Sequence, residues 1–216
     1  MEKLAVCTLN HKGGVGKSTA ALIMAQTAAM MKLHVLCIDL DEQKNLTDAM
    51  SLVSKQFSPL VKVKDRLDKN DANLDFDLFI LDCPPKLDRS TASAIAFADI
   101  VLVPVKGDLF SVTNLPVVLD FVIQNGKHLA QIALIKNSFI SAKAVRNVDE
   151  ILYNRKYHIA GRWPRNEHIP NNILEGRPWW MGMDKRQKAP FIDFYHKVLV
   201  AWQRLLAGDF ETTWKN

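Results

Sequence analysis

The chain has 216 residues, 48% of them hydrophobic and 24% charged, with three cysteines and a formal net charge of +5. Those proportions exclude a disordered or low-complexity chain and lead us to expect one globular domain over residues 1–216. No apolar run approaches the roughly 18 residues of a membrane-spanning helix, and the opening MEKLAVCTLN reads as a first strand, not a signal peptide.

In chain order, KLAVCTL (3–9) is a continuous apolar run of β-formers. After it comes NHKGGVGKST (10–19), then the alanine-rich, breaker-free KSTAALIMAQTAAMM (17–31), which reads as a helix. HVLCIDL (34–40) is a second strand. Residues 50–75 are polar and lysine-rich, and a helix over about 58–68 is the reading there. DLFILDC (77–83) and DIVLVPV (99–105) are further strands, separated by DRSTASAIAFA (88–98), a helix opening on an Asp cap. A helix over 112–125, a strand in QIALIKNSF (131–139), a helix over 143–155 and a terminal helix over 189–206 complete the pattern. Continuous apolar strands suit burial on both faces, and their alternation with helices predicts a doubly wound α/β sheet, mostly parallel. Cys7, Cys37 and Cys83 each fall inside such a run without paired spacing, as buried thiols in a reducing, cytoplasmic compartment would.

The loop at 10–19 stands between a strand and a helix, the context that phosphate binding requires. Gly13, Gly14 and Gly16 carry no side chains, so the backbone around them and Val15 can close on phosphate oxygens at a helix N-terminus. Lys17 is placed to reach the β- and γ-phosphates, the Ser18 hydroxyl to bind Mg²⁺, and Thr19 to touch the α-phosphate. The usual loop has glycine six residues before this lysine, where His11 stands here, followed by a second lysine, Lys12. Two ammonium groups are too many for one triphosphate, so Lys12 makes sense if it points away and meets a second nucleotide on a facing subunit.

KGGVGKS resembles the deviant Walker A motif of the ParA/MinD ATPase superfamily, with Lys12 matching its signature lysine. The resemblance implies two subunits sandwiching two ATP molecules, each signature lysine reaching the partner's phosphates. IDLDEQKNLTD (38–48) resembles the family's D-x-D-P-Q-x-N-x-T stretch, which makes Asp41 the residue that orients the attacking water and Asp39 a support of the Mg²⁺ shell. Glu42 replaces the usual proline, which puts the rigidity of this loop in question. FDLFILDCPP (76–85) resembles a Walker B strand whose Asp82 holds Mg²⁺ through water, followed by a small-residue-Pro-Pro turn at Cys83, Pro84 and Pro85. Asn137, ending a strand, matches a frequent adenine-contacting asparagine. RWPRNEHIP (162–170) resembles the I-P-R-N loop, whose backbone at Pro164, Arg165 and Asn166 would flank the base, with Trp163 in place of an aliphatic residue.

Residues 1–139 hold 15 Lys/Arg and 15 Asp/Glu, whereas 140–216 hold 13 and 8, so the last third carries the whole excess of positive charge. Lys143, Arg146, Arg155, Lys156, Arg162, Arg165, Arg177, Lys185, Arg186 and Lys188 make it up in large part, which suggests salt-sensitive, nonspecific DNA binding. A dimer would double that face and make ATP a switch for DNA affinity. The terminal helix is broken at Gly208 and followed by Asp209 and Glu211, so packing on the core is expected of it, not membrane targeting. Trp179 and Trp180 are expected to pack ordinarily. The first strand begins almost at Met1, without a helix-turn-helix before it, as in short plasmid-type members of the family.

Together these features lead us to expect a partition ATPase: Mg²⁺-dependent, cytoplasmic and nucleoid-associated, and slow unless a ParB-like adaptor supplies an arginine. Positioning of a protein cargo or conjugation machinery is the alternative with the same chemistry. Metabolic enzymes on the same fold, a nitrogenase-iron-protein-like reductase or a dethiobiotin-synthetase-like ligase, are alternatives of a different class. The first of these needs paired cysteine ligands, and the sequence offers no second candidate beside Cys83.

Overall fold

The computed structural model describes residues 2–57, 59–106, 108, 111, 113–138 and 158–214. Its strands are β1 (Leu4–Thr8), β2 (Val35–Asp39), β3 (Val61–Lys64), β4 (Leu78–Asp82), β5 (Ile100–Lys106), β6 (Ile132–Asn137) and β7 (His158–Trp163). They form one sheet in the order β3-β2-β4-β1-β5-β6-β7, with every neighbouring pair parallel. The helices are α1 (Lys17–Met30), α2 (Asn45–Phe57), α3 (Arg89–Phe97), α4 (Leu115–Gln124), α5 (His168–Leu174) and α6 (Lys185–Leu206).

Every residue of β1, β2 and β4 is buried, because helices cover both faces of the sheet and leave no solvated side on which polar residues could alternate. One face packs against α1, α2 and α6, through Ile23, Leu46, Met50, Phe191 and Val198 among others. The other packs against α3 and α4, through Ala94, Ile95, Leu115, Val118 and Val122. Helix α1 presents Ala20, Ala21, Ala25, Ala28 and Ala29, all buried; small side chains let its backbone lie close to the sheet. Helix α3 is capped as the sequence suggests, Asp88 accepting from the amides of Ser90 and Thr91.

Three parts differ from the sequence reading. Among the described residues no helix occupies 59–68; the helix is α2, ending at Phe57, and Val61–Lys64 is an edge strand. The VKVK sequence is half-solvated, so it alternates where the inner strands are continuously apolar. The last helix starts at Lys185 and not at 189, because Asp184 and Gln187 form a reciprocal capping box there. Strand β7 and helix α5 are additional elements, the former ending at Trp163 where RWPR was read as loop. The helix expected over 143–155 lies outside the described residues.

The register brings chemistry to one level. Asp82 at the end of β4 pairs with Thr8 of β1 on one side and with Asp39 of β2 on the other. Strand β1 lies between β4 and β5, and the loop that follows it opens at the carboxyl edge of the sheet, where open α/β folds bind ligands.

Candidate functional site: a phosphate loop facing three aspartates

The loop after β1 is held from below. Asn10, 2% exposed, donates through Nδ2 to the Pro104 carbonyl at 2.8 Å and accepts from the Lys12 amide at 3.0 Å, which ties the loop to β5. Gly14 and Gly16 take positive φ values of 70° and 109°, where a side chain would be strained. Gly16 stands at the N-cap of α1, and no side chain caps the helix. Its first amides therefore remain available to an anion, favoured by the helix dipole.

Lys17 is 6% exposed and curls back so that Nζ lies 3.4 Å from the Lys12 carbonyl. Burial lowers the ammonium's pKa, against the opposing pull of Asp82, Asp41 and Cys83. A buried cation facing carboxylates across a cleft is costly unless an anion joins it. Asp82 is fully buried and pushed up to about 7, mainly by desolvation, with the Ser18 and Thr8 hydroxyls and Lys17 pulling it down and Asp39 adding to the rise. Its Oδ1 accepts from Thr8 Oγ1 at 2.9 Å, whereas Oδ2 has no hydrogen-bond partner. Asp39 is satisfied by Thr47, whose amide and hydroxyl reach Oδ2 at 2.9 and 2.8 Å, and by the Asp41 amide at Oδ1. Asp41, 7% exposed, accepts from the Gln43 amide at 3.0 Å.

The orphaned oxygen of Asp82 is what a hydrated divalent cation would satisfy. Among the described residues no three His, Cys, Asp or Glu side chains converge as a metal cage. A hydrated Mg²⁺ keeps several waters and takes few protein ligands, and the Ser18 hydroxyl would hold it directly, with Asp82 and Asp39 acting on its waters.

The loop and Asp41 open on a cavity of about 720 Å³ lined by Gly13, Gly14, Gly16, Lys17, Ser18, Thr19, Asp41, Gln43, Asn45, Pro85, Lys106, Asn137, Ser138, Trp163, Pro164, Asn166 and Phe191, among others, whereas Asp39 and Asp82 do not line it. The phosphate-loop residues expected from sequence are thus brought together with Asp41 and with the far wall at Asn137, Pro164 and Asn166. That wall is apolar behind its rim: Trp163 is 3% exposed and meets Phe191 at a tilt and Phe194 edge-on, with ring centroids 5.3 and 5.0 Å apart. Asn137 also braces the loop, its Nδ2 donating to the Val15 carbonyl at 2.8 Å while Ser138 Oγ donates to its Oδ1 at 3.0 Å. Val15 itself is buried and contributes through its backbone.

Other expected residues stand apart. Lys12 does not line the cavity; its ammonium is ion-paired with Asp108, which in turn accepts from the Ser111 amide and hydroxyl. Desolvation raises the Asp108 carboxyl, but Lys12 and Ser111 outweigh it and hold it down at about 2. Arg165 points outward, 70% exposed and 3.5 Å from Glu167, and does not line the cavity. Of the basic residues, Arg162, Lys185 and Arg186 are exposed, Lys188 is half-buried, and Arg177 pairs with Glu175 at 2.6 Å. Lys143, Arg146, Arg155 and Lys156 lie outside the described residues. Trp179 is fully buried, bonded to Gln26 and Thr27 of α1, and Trp180 packs edge-on against Phe57, which is ordinary packing. Asp108, Thr8 and Lys44 are site residues that sequence reasoning missed; for Asp108 the signal was present, an acid just beyond a strand's carboxyl end.

A family model described as an AAA domain (AAA_31) matches residues 3–73 and 55–134. The sporulation initiation inhibitor protein Soj of Bacillus subtilis is 24% identical over 229 residues, covering 82% of this chain and 90% of that one. The chromosome-partitioning ATPase Soj of Thermus thermophilus is 29% identical over 139 residues, 49% of this chain and 56% of its own length. A Borrelia burgdorferi protein assigned to plasmid partition and bound to AMPPNP superposes with a TM-score of 0.76 at 19% identity, covering 92% of this chain and 99% of that one. Among the described residues no helix is long and apolar enough to cross a membrane.

Proposed function

The chain belongs to the AAA_31 family, within the ParA/MinD superfamily of P-loop ATPases, and on that premise we propose that it is a partition ATPase for plasmid DNA. ATP closes two copies into a sandwich, the pair holds nonspecific DNA, and a ParB-like adaptor on the cargo stimulates hydrolysis and release. The observation that carries this reading is the second lysine. Lys12 stands at the mouth of the loop, outside its own cavity and bound to a carboxylate that an approaching nucleotide can replace.

Within one subunit, the amides of Gly13–Thr19 and the Lys17 ammonium hold the β- and γ-phosphates, and the wall at Asn137, Trp163 and Pro164 takes the base. Ser18, with Asp82 and Asp39 acting through water, would hold Mg²⁺, which would supply positive charge against the phosphates. Asp41 orients the water that attacks the γ-phosphorus as the bond to the ADP oxygen breaks. Lys12 of each subunit, exchanging Asp108 for the neighbour's nucleotide, completes the charge on the transferring group.

One observation supports the DNA half. Lys185, Arg186 and Lys188 occupy the first turn of α6, where positive charge opposes the helix dipole and so gives the monomer no stability. They add instead to a field that attracts phosphate. The test is DNA retention with a non-hydrolysable ATP analogue and with ADP across a salt series, beside light scattering of wild type and Lys12→Ala. Wild type is expected to dimerise and bind DNA only with the ATP analogue, with a steep salt slope. A Lys12→Ala protein that still does both as well as wild type overturns the sandwich.

A further inference from the structure

The turn joining β2 to α2 lacks the proline that would stiffen it, Glu42 standing in its place, yet it must hold Asp41 still. Lys44 occupies this turn in a conformation unusual for a lysine. Its φ is 52°, in the left-handed region where Cβ crowds the backbone and which glycine enters without that cost. A lysine at such a position points to a use for its side chain.

The contacts show that use. The ladder between β2 and β3 ends at Ile38 and Lys64, one residue before Asp39, so the Asp39 carbonyl projects beyond its strand partner. Lys44 Nζ donates to that carbonyl at 2.9 Å. The amide of the same residue donates to the Asp41 carbonyl at 3.0 Å, and its carbonyl accepts from the Asp48 amide at 2.9 Å, starting α2. One residue thus binds the carbonyl two residues before Asp41, the carbonyl of Asp41 itself and the helix after it. Lys44 is half-buried and does not line the cavity, whereas Gln43 and Asn45 on either side do. The ammonium lies behind the turn, where it clamps the backbone and touches no substrate. The exposed pair between Glu42 and Lys86 at 3.1 Å is a lesser tie, both side chains being mostly in water.

We propose that Lys44 is a positioning residue for Asp41: its ammonium locks the β2–α2 turn and so holds the Asp41 carboxylate where it can orient the attacking water. This rests on the reading of Asp41 given above. Single-turnover hydrolysis of MgATP and ATP affinity are to be measured for Lys44→Gly, Lys44→Ala, Lys44→Arg and Asp41→Asn. Both neutral variants are expected to hydrolyse about ten-fold more slowly, as a small misplacement of a reacting group does, with ATP affinity within about two-fold of wild type and most of the rate restored in Lys44→Arg. Glycine keeps the left-handed backbone without strain, so it separates the ammonium from the turn. If Lys44→Gly hydrolyses like wild type while Asp41→Asn is inactive, the Lys44 inference fails and the Asp41 reading stands. If Asp41→Asn hydrolyses like wild type, the Asp41 reading fails and takes the inference with it.

Discussion

Gly16 and Asn137, 121 positions apart in the chain, meet so closely that a Cβ on the glycine would lie 2.3 Å from the asparagine's Nδ2. That nitrogen donates to the carbonyl of Val15, the residue just before the glycine, so the far wall of the cavity grips the phosphate loop by its backbone. The glycine is required twice over, by its φ of 109° and by this approach.

Gly16→Ala therefore combines a left-handed alanine, costing about 1–2 kcal/mol, with displacement of Asn137. We expect ATP affinity to fall more than about ten-fold, as a loss of about 1.4 kcal/mol or more would give. Asn137→Ala leaves the loop's conformation allowed but removes two part-buried hydrogen bonds, of which the brace to Val15 is worth about 1 kcal/mol. Titration calorimetry should rank wild type, Asn137→Ala and Gly16→Ala in that order, and equal affinities would show that the contact does not shape the loop.

Burial of Lys17 costs more than Asp82, Asp41 and Cys83 return, and a bound anion would offset the rest. Lys17→Met is thus expected to leave the melting temperature of the nucleotide-free protein unchanged or raised, and to abolish the rise that MgATP gives the wild type. Thermal scans with and without nucleotide check both halves. A large drop in the nucleotide-free protein would mean that Lys17 stabilises the fold through the aspartates alone.

The Asp108 carboxyl titrates at about 2 in the folded protein against an ordinary 3.8. A depressed carboxylate pKa stabilises the fold above its unfolded value, and that contribution disappears as pH falls from about 4 to about 2. The Lys12–Asp108 pair is substantially exposed, so the effect is small, below about 1 kcal/mol. Urea midpoints of wild type and Asp108→Asn should differ slightly at pH 5 and converge toward pH 2. A gap that widens on acidification would mean that the pair does not hold the carboxyl down.

Replacing Lys185, Arg186 and Lys188 together by alanine should leave hydrolysis without DNA within about two-fold of wild type. If all three contact phosphates, the slope of log K for DNA against log salt should become shallower by about two to three. Stability should not fall, because cations leave the positive end of a helix. An unchanged slope would move the interface elsewhere on the molecule.

Trp179→Ala removes a fully buried indole that bonds Gln26 through its backbone and Thr27 through its ring. The expected loss is about 3–5 kcal/mol, seen as a lower urea midpoint. A loss under about 1 kcal/mol would place the ring outside the core.

The inner strands were legible because burial on both faces leaves an unbroken apolar run: VLCID of β2 and LFILD of β4 are buried at every position. The edges were not, since VKVK of β3 and HIAGRW of β7 meet solvent and mix charge with apolar residues. Helix α2 carried a readable stripe, Leu46, Met50, Val53 and Phe57, at helical spacing. The placement of the phosphate loop beside the three aspartates was readable because each stands in a short stretch at or just beyond a strand's carboxyl end. The Lys12–Asp108 pair and the Asn137 brace join residues 96 and 122 positions apart, and nothing local announces such contacts.

Cys7, Cys37 and Cys83 are all buried free thiols, the first and last with sulfurs 3.3 Å apart inside the sheet. With the wild-type thiols shielded, a maleimide applied to the folded protein should find little to react with. A single cysteine placed on the exposed first turn of α6 would then carry a fluorophore selectively in an otherwise unaltered background. Subunit pairing and arrival on a polynucleotide could be timed in one cuvette.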